Sequence, residues 1–126
     1  MLHDILSQYL GDIENTIRKL ESVNIENYEE EVLTSSRVNL RIRVRFLSGN
    51  LLELNEAIIL EANQIIHLGY RYHFQDQHNN LIFRYDNTPH FPDLKSFPHH
   101  KHLSNKVEES GMPFILNVIE ESKILA

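Results

Sequence analysis

The chain has 126 residues, enough for one hydrophobic core and too few for two ordinary domains, so we expect a single domain over residues 1–126. It has no cysteine, which excludes disulfides and thiolate metal sites, and it lacks an apolar run long enough to cross a bilayer, so we expect an unexported, cytoplasmic protein with no membrane partner. The net charge is −6, yet residues 37–106 carry 9 basic and 6 acidic side chains, and such a basic middle can attract phosphate.

The first elements are a helix and a polar segment. Apolar residues recur at three- and four-residue steps over residues 2–20, which predicts an amphipathic helix. Residues 23–36 are polar and include three consecutive glutamates, so we expect a connection with a short strand at most, anchored by Val32 and Leu33.

The period then changes to two, which is typical of strands. Residues 38–46 alternate apolar side chains with arginine and asparagine. Turn-forming residues separate this run from three further extended runs, at residues 51–61, 66–75 and 81–86. The pattern predicts a four-stranded antiparallel meander.

The last third contains a loop and a helix. Residues 87–106 hold Pro89, Pro92 and Pro98, and each removes a backbone donor, so we expect a stiff Pro/His-rich loop without extended pairing. Residues 107–110 can form a short edge strand, and a short C-terminal helix follows Pro113. The predicted fold class is α+β: an N-terminal helix, a four- to five-stranded antiparallel meander, the Pro/His-rich loop and the short C-terminal helix.

Four segments within residues 67–120 carry a distinctive pattern: Gly69-Tyr70-Arg71-Tyr72, residues 81–87 (LIFRYDN), Pro89-His90 and residues 97–102 (FPHHKH). Together they resemble the TumE family, the toxins of bacterial type II toxin-antitoxin pairs. The resemblance implies a growth-inhibiting protein that acts on RNA or translation. It also implies a cognate antitoxin encoded beside it, of the helix-turn-helix type.

Four arginines form a row on the first predicted strand, Arg37, Arg41, Arg43 and Arg45. The two-residue spacing of the last three places them on one face at steps of about 7 Å. Acidic side chains on the paired strand, such as Glu53 or Glu56, would make them ordinary surface ion pairs. An RNA backbone across the row would use the same geometry, with Arg41, Arg43 and Arg45 binding phosphates. Both interpretations stay open.

A second set of candidates joins strand residues to the histidine loop. Metal-independent RNA cleavage needs a base for the 2′-hydroxyl, an acid for the leaving 5′-oxygen and a cation on the phosphate. Histidine suits the first two roles and arginine the third. We therefore predict as catalytic Arg71, His73, Arg84, His99, His100 and His102, with Lys101 and Tyr85 binding RNA. Each also has an ordinary interpretation, such as an ion pair for Arg84 and a core position for Tyr85.

Metal coordination is another use of these histidines. The available ligands are His90, His99, His100 and His102, with Asp86 or Asp93. Because no ligand pair has the spacing expected on a rigid element, we predict no functional metal and no cofactor. Three hypotheses remain: an endoribonuclease of the mRNA interferase type, a toxin that blocks translation by binding, and a metal- or protein-interaction module. A homodimer stays open.

Overall fold

The computed structural model describes residues 1–126 and shows a single antiparallel sheet with two helices. The elements are α1 (Asp4–Arg18), β1 (Val23–Thr34), β2 (Arg37–Phe46), β3 (Leu51–Glu61), β4 (Gln64–Gln75), β5 (Leu81–Asp86), β6 (His100–His102), β7 (Val107–Glu109) and α2 (Ile115–Leu125). The strands pair in chain order from β1 to β7. The α+β class is confirmed, whereas the expected count of four to five strands is wrong, because the sheet has seven.

The first uncounted strand is β1, in the segment expected to be mainly a polar connection. It pairs with β2 from Val23 opposite Phe46 to Thr34 opposite Arg37. No strand lies on its outer side, and only Val23 and Tyr28 are even partly buried along it. An alternating apolar pattern arises where one face of a strand is buried, so this exposed edge strand carries no such pattern.

The second uncounted strand is β6, inside the Pro/His-rich segment. The expectation that this segment holds no extended pairing is wrong for His100–His102, which pairs with both β5 and β7. All three prolines of the segment precede β6, so none of them removes a donor from its ladder. The short edge strand expected near residue 107 is confirmed as β7.

Both helices pack on one face of the sheet and leave the other without a helix. The core joins Leu6, Leu10, Ile13 and Ile17 of α1 and Ile115, Val118 and Ile119 of α2 to the inward-facing residues of β2 to β5. Burying each such side chain contributes about 1.5–3 kcal/mol. The outward-facing residues of the same strands form what we call the open face. Neither helix is long and apolar enough to span a membrane.

A buried carboxylate connects α1 to the sheet. Glu56 of β3 is almost fully buried and accepts hydrogen bonds from the hydroxyls of Tyr9, at 2.7 Å, and Tyr72. The His67 Nε2 lies 3.0 Å from the same carboxylate. Burial and the Glu56 charge raise the pKa of both tyrosines, which therefore stay protonated as donors. The network satisfies a polar group that would be costly to bury alone.

Candidate active site

Polar side chains cross the open face in two rows, each with one residue per strand. The first row follows the register Arg43, Glu53, His73, Arg84 and His102 from β2 to β6. The second follows Arg41, Asn55, Arg71, Asp86 and His100 over the same strands. Adjacent strands lie about 4.8 Å apart, so neighbours within a row are within side-chain reach. Seven predicted site residues therefore share these two rows although they are distant in sequence.

In the first row Arg84 lies between two imidazoles, and we call His73, Arg84 and His102 the His–Arg–His row. His73 faces Arg84 across β4 and β5, and Arg84 faces His102 across β5 and β6. The His73 Nε2 lies 2.8 Å from the Gln75 Oε1, so Nε2 carries the proton and the buried, unpartnered Nδ1 carries the lone pair.

The environment of both imidazoles favours their neutral forms. Burial, together with the charges of Arg71 and Arg84, lowers the pKa of His73, although Gln75 and Glu53 act in the opposite direction. Burial, Arg84 and two neighbouring histidines lower the pKa of His102 against the pull of Asp86. Both pKa values therefore lie below the ordinary value of 6.5.

Asp86 links the two rows. Its Oδ1 lies 2.8 Å from the His100 Nε2, and its Oδ2 lies 3.5 Å from the Arg84 Nε and 3.7 Å from the His102 Nε2. Neither the Arg84 Nε nor the His100 Nε2 has an aligned hydrogen-bond partner, so the Arg84 contact is an ion pair rather than a linear hydrogen bond. The Asp86 Oδ1 also accepts from the Thr88 N–H at 3.1 Å, which forms an Asx-type turn at the end of β5.

His100 is held in one orientation inside this cluster. Its ring is 1% exposed, and the Phe91 ring from the preceding loop covers it at a centroid distance of 5.0 Å. Its Nδ1 lies 3.0 Å from the Pro98 carbonyl oxygen, which only accepts, so Nδ1 carries a proton. In a neutral His100 the Nε2 lone pair would then face the Asp86 carboxylate. A cation between the two groups would remove that repulsion.

Three groups can hold a metal ion. The ligand atoms of Asp86, His100 and His102 all lie within 4.8 Å of one another. The donor set of two imidazoles and a carboxylate suits zinc, and a backbone carbonyl that accepts from the outer ring nitrogen is the usual support of a metal-binding histidine.

The arginines of the open face fall into two groups. Arg43 pairs with Glu26 at 2.8 Å and Glu53 at 3.2 Å, and Arg45 pairs with Glu26 at 3.1 Å, which is the ordinary ion-pair interpretation. Arg41 and Arg71 are exposed and form no ion pair with a carboxylate of the chain. Those two are therefore the cations most available to an external phosphate.

Three predicted site residues lie on the other side of the sheet. Lys101 pairs with Glu121 of α2 at 3.0 Å, and the Tyr85 hydroxyl donates to the same carboxylate at 2.7 Å. The His99 Nδ1 lies 2.8 Å from the hydroxyl of Tyr70, on which its ring stacks. Because successive side chains of a strand point to opposite faces, β6 sends His100 and His102 to the open face and Lys101 to the helices. The structure does not bring these three residues to the cluster.

Sequence reasoning named Asp86 as a possible metal ligand but left it out of the predicted catalytic and RNA-binding residues. The signal for it was present, since Asp86 lies two residues after Arg84 in the same strand and alternation places both on one face. Asn55 and Asn87 were also missed, and no local signal marks them, because their proximity to the cluster depends on strand register and on where β5 ends.

Fold and site thus define a small α+β protein with a cationic open face and a histidine–carboxylate cluster. A family model described as toxin TumE matches residues 13–123, which include every residue of the two rows. No curated protein and no solved structure gave a match. The chain belongs to the TumE toxin family, which confirms the resemblance. It is accordingly a toxin of a toxin-antitoxin module, and a cognate antitoxin is its partner.

Proposed function

We propose that this toxin is an endoribonuclease that cleaves RNA without a metal ion. The single observation that carries the proposal is the position of Arg84 between two imidazoles on adjacent strands. One imidazole takes the proton of the 2′-hydroxyl, and the 2′-oxygen attacks the phosphorus. The 5′-oxygen leaves with a proton from the other imidazole, while the Arg84 guanidinium stabilises the charge on the phosphate. The products are a 2′,3′-cyclic phosphate and a 5′-hydroxyl.

The remaining residues of the two rows position this chemistry. Asp86 contacts Arg84 and His102 and so restrains both side chains. His100 is too deeply buried to touch RNA and acts as a positioning residue through Asp86. Arg41 and Arg71 bind the RNA backbone on the exposed part of the face. Arg43 and Arg45 contribute less, because Glu26 and Glu53 already neutralise them.

The products of an RNA digestion test this proposal. Purified toxin is incubated with a single-stranded RNA in excess EDTA, and the fragment ends are identified by mass spectrometry. We expect 2′,3′-cyclic phosphates, and we expect His73→Ala to lower the rate by about 100-fold or more. Intact RNA in EDTA, from protein that still arrests growth when induced, would contradict metal-independent cleavage and favour a toxin that acts by binding.

A metal-dependent reaction is the second candidate, and the Asp86–His100–His102 cluster favours it. The orientation of His100 presents an unpartnered Nε2 to the other two groups, as a ligand would be presented. Under this candidate the cluster binds zinc, and EDTA abolishes cleavage until metal is restored. Calorimetric titration with zinc gives a stoichiometry near one that is lost in His100→Ala. The matched variant His99→Ala, on the opposite face, keeps it.

The open face also suggests how the toxin binds RNA and its antitoxin. We propose that the toxin acts on RNA in the cytoplasm, and that its antitoxin, a helix-turn-helix protein, inhibits it by covering the open face with an acidic segment. The exposed Arg41 and Arg71 would attract that segment by the charges that attract RNA. Co-expression with the neighbouring gene product should therefore abolish both growth arrest and RNA binding, and loss of arrest with unchanged RNA binding would contradict this mode of inhibition.

A further inference from the structure

A hollow of about 370 Å³ lies on the open face beside the His–Arg–His row. Ala57 and Gly69 face each other across β3 and β4, and neither extends a side chain beyond Cβ, so they leave a depression between larger neighbours. Its rim is formed by Asn39, Arg41, Asn55, Arg71 and Asn87. We call this feature the arginine hollow.

The hollow carries two arginines that form no ion pair within the chain. Arg41, Asn55 and Arg71 follow one another in register on β2, β3 and β4, so the two arginine backbones are about 10 Å apart. In the neighbouring row the equivalent position of β3 is Glu53, which pairs with Arg43. Asn55 places no charge between Arg41 and Arg71. Glu29 and Asp86 lie opposite them on the flanking strands, but neither forms an ion pair with them, and Asp86 contacts Arg84 instead. The two guanidinium groups can therefore bind a phosphate, each with two parallel hydrogen bonds.

The hollow also offers free amide groups. The Asn87 Oδ1 accepts from the Tyr70 N–H at 3.1 Å, which fixes the side chain and leaves its NH₂ group without a partner in the chain. Asn55 forms no side-chain hydrogen bond, whereas Asn39 donates to Glu31 at 3.0 Å. An amide presents a donor and an acceptor side by side, as recognition of the edge of a nucleobase requires.

We propose that the arginine hollow binds one nucleotide of single-stranded RNA, with its phosphate at Arg41 and Arg71 and its base against Asn55 and Asn87. This proposal rests on the proposed function and adds the subsite that selects the RNA. Arg71 precedes His73 by two residues on β4, so the hollow lies about 7 Å along the strands from the His–Arg–His row. The nucleotide it holds is therefore next to the one that is cleaved.

Gly69→Leu tests the hollow by filling it. A Cβ at Gly69 would meet only the Asn87 Oδ1, at 4.0 Å, so the backbone accepts a side chain that then occupies the depression. Gly111→Leu is the matched control, because Gly111 is exposed, lies outside the hollow and has open space around it. Thermal unfolding is used to check that both variants fold. Arg71→Gln, an exchange at an exposed side chain, provides the same test if Gly69→Leu does not fold.

The measurement is the affinity for a fluorescent single-stranded RNA made uncleavable by 2′-O-methyl groups. We expect Gly69→Leu and Arg71→Gln each to raise Kd roughly tenfold, because a charge-assisted phosphate contact is lost or blocked. Gly111→Leu should leave Kd unchanged. An unchanged Kd in the folded Gly69→Leu variant would overturn the proposal. Equal weakening on a duplex of the same sequence, whose bases are paired and cannot enter, would overturn base insertion.

The two proposals fail in different ways. If RNA stays intact in EDTA while Gly69→Leu still weakens its binding, the hollow is supported and metal-independent cleavage is not. If the wild type cleaves RNA in EDTA and Gly69→Leu binds and cleaves as the wild type does, the nuclease is supported and the hollow is overturned.

Discussion

Asp86→Asn is the substitution that isolates the role of the buried carboxylate. The change keeps the shape of the side chain and removes the negative charge that faces His100, Arg84 and His102. Breaking a buried ion pair by removing one partner costs about 3–5 kcal/mol. The charged partner Arg84 is partly exposed and recovers some hydration, so we expect the lower end, about 3 kcal/mol.

Urea unfolding at neutral pH measures this loss, and a decrease of about 10 °C in Tm should accompany it. In the folded fraction we expect kcat for RNA cleavage to fall by about 100-fold with a smaller change in KM, because His102 and Arg84 lose their restraint rather than their contact with RNA. Asp93→Asn, at an exposed position of the loop that follows β5, is the control. Stability within 0.5 kcal/mol of the wild type, together with unchanged kcat, would refute the reasoning, since surface substitutions stay within about that margin.

Three further outcomes are expected. In EDTA, kcat/KM should peak below pH 6.5, because the reaction needs one protonated and one neutral imidazole and both imidazoles of the His–Arg–His row have lowered pKa values. A maximum above pH 7 would contradict this assignment. Tyr72→Phe removes a hydrogen-bond donor from the buried Glu56 and should lower the free energy of unfolding, measured in urea, by about 1–3 kcal/mol without changing the activity of the folded fraction. Wild-type stability in this variant would show that the network is dispensable. Arg41→Gln should weaken RNA binding and reduce the slope of log Kd against log salt concentration by about 1, whereas Arg43→Gln, which removes an ion-paired side chain, should change both less. Equal effects of the two variants would show that the ion pairs leave Arg43 available to RNA.

The sequence predicted the parts of the fold in which one face of an element is buried. β2 alternates because its inward side chains pack under α1 and α2, and that same alternation placed Arg41, Arg43 and Arg45 together. β1 could not be recognised by this rule, because it lies at the edge of the sheet and buries almost nothing. Its residues are extended because β2 provides hydrogen-bond partners, which is a tertiary effect.

The residues of the candidate site could be predicted where the strands that carry them could be predicted. Arg71, His73 and Arg84 lie on strands that the alternation predicted, and they share the open face. His99 and Lys101 were grouped with them because residues 99–102 were treated as a loop, in which neighbouring side chains have no fixed direction. The three-residue strand β6 imposes alternation there and separates Lys101 from its neighbours.

The arginine hollow depends on details that no local pattern reports. A register shift in the β3–β4 pairing between Ala57 and Ile58 brings Ala57 opposite Gly69. The end of β5 at Asp86 then leaves Asn87 free to turn back toward Tyr70. A bulge of this kind is set by the packing of the whole sheet, so the hollow could only be seen in the structure.

The rate of RNA cleavage in EDTA by a pair of histidine variants tests the central claim most directly. His102→Ala removes an imidazole of the His–Arg–His row, while His99→Ala removes one from the opposite face of the sheet. The account predicts single-turnover cleavage lowered by about 100-fold or more in His102→Ala and nearly unchanged in folded His99→Ala. Equal rates for the two variants, or a loss confined to His99→Ala, would contradict it.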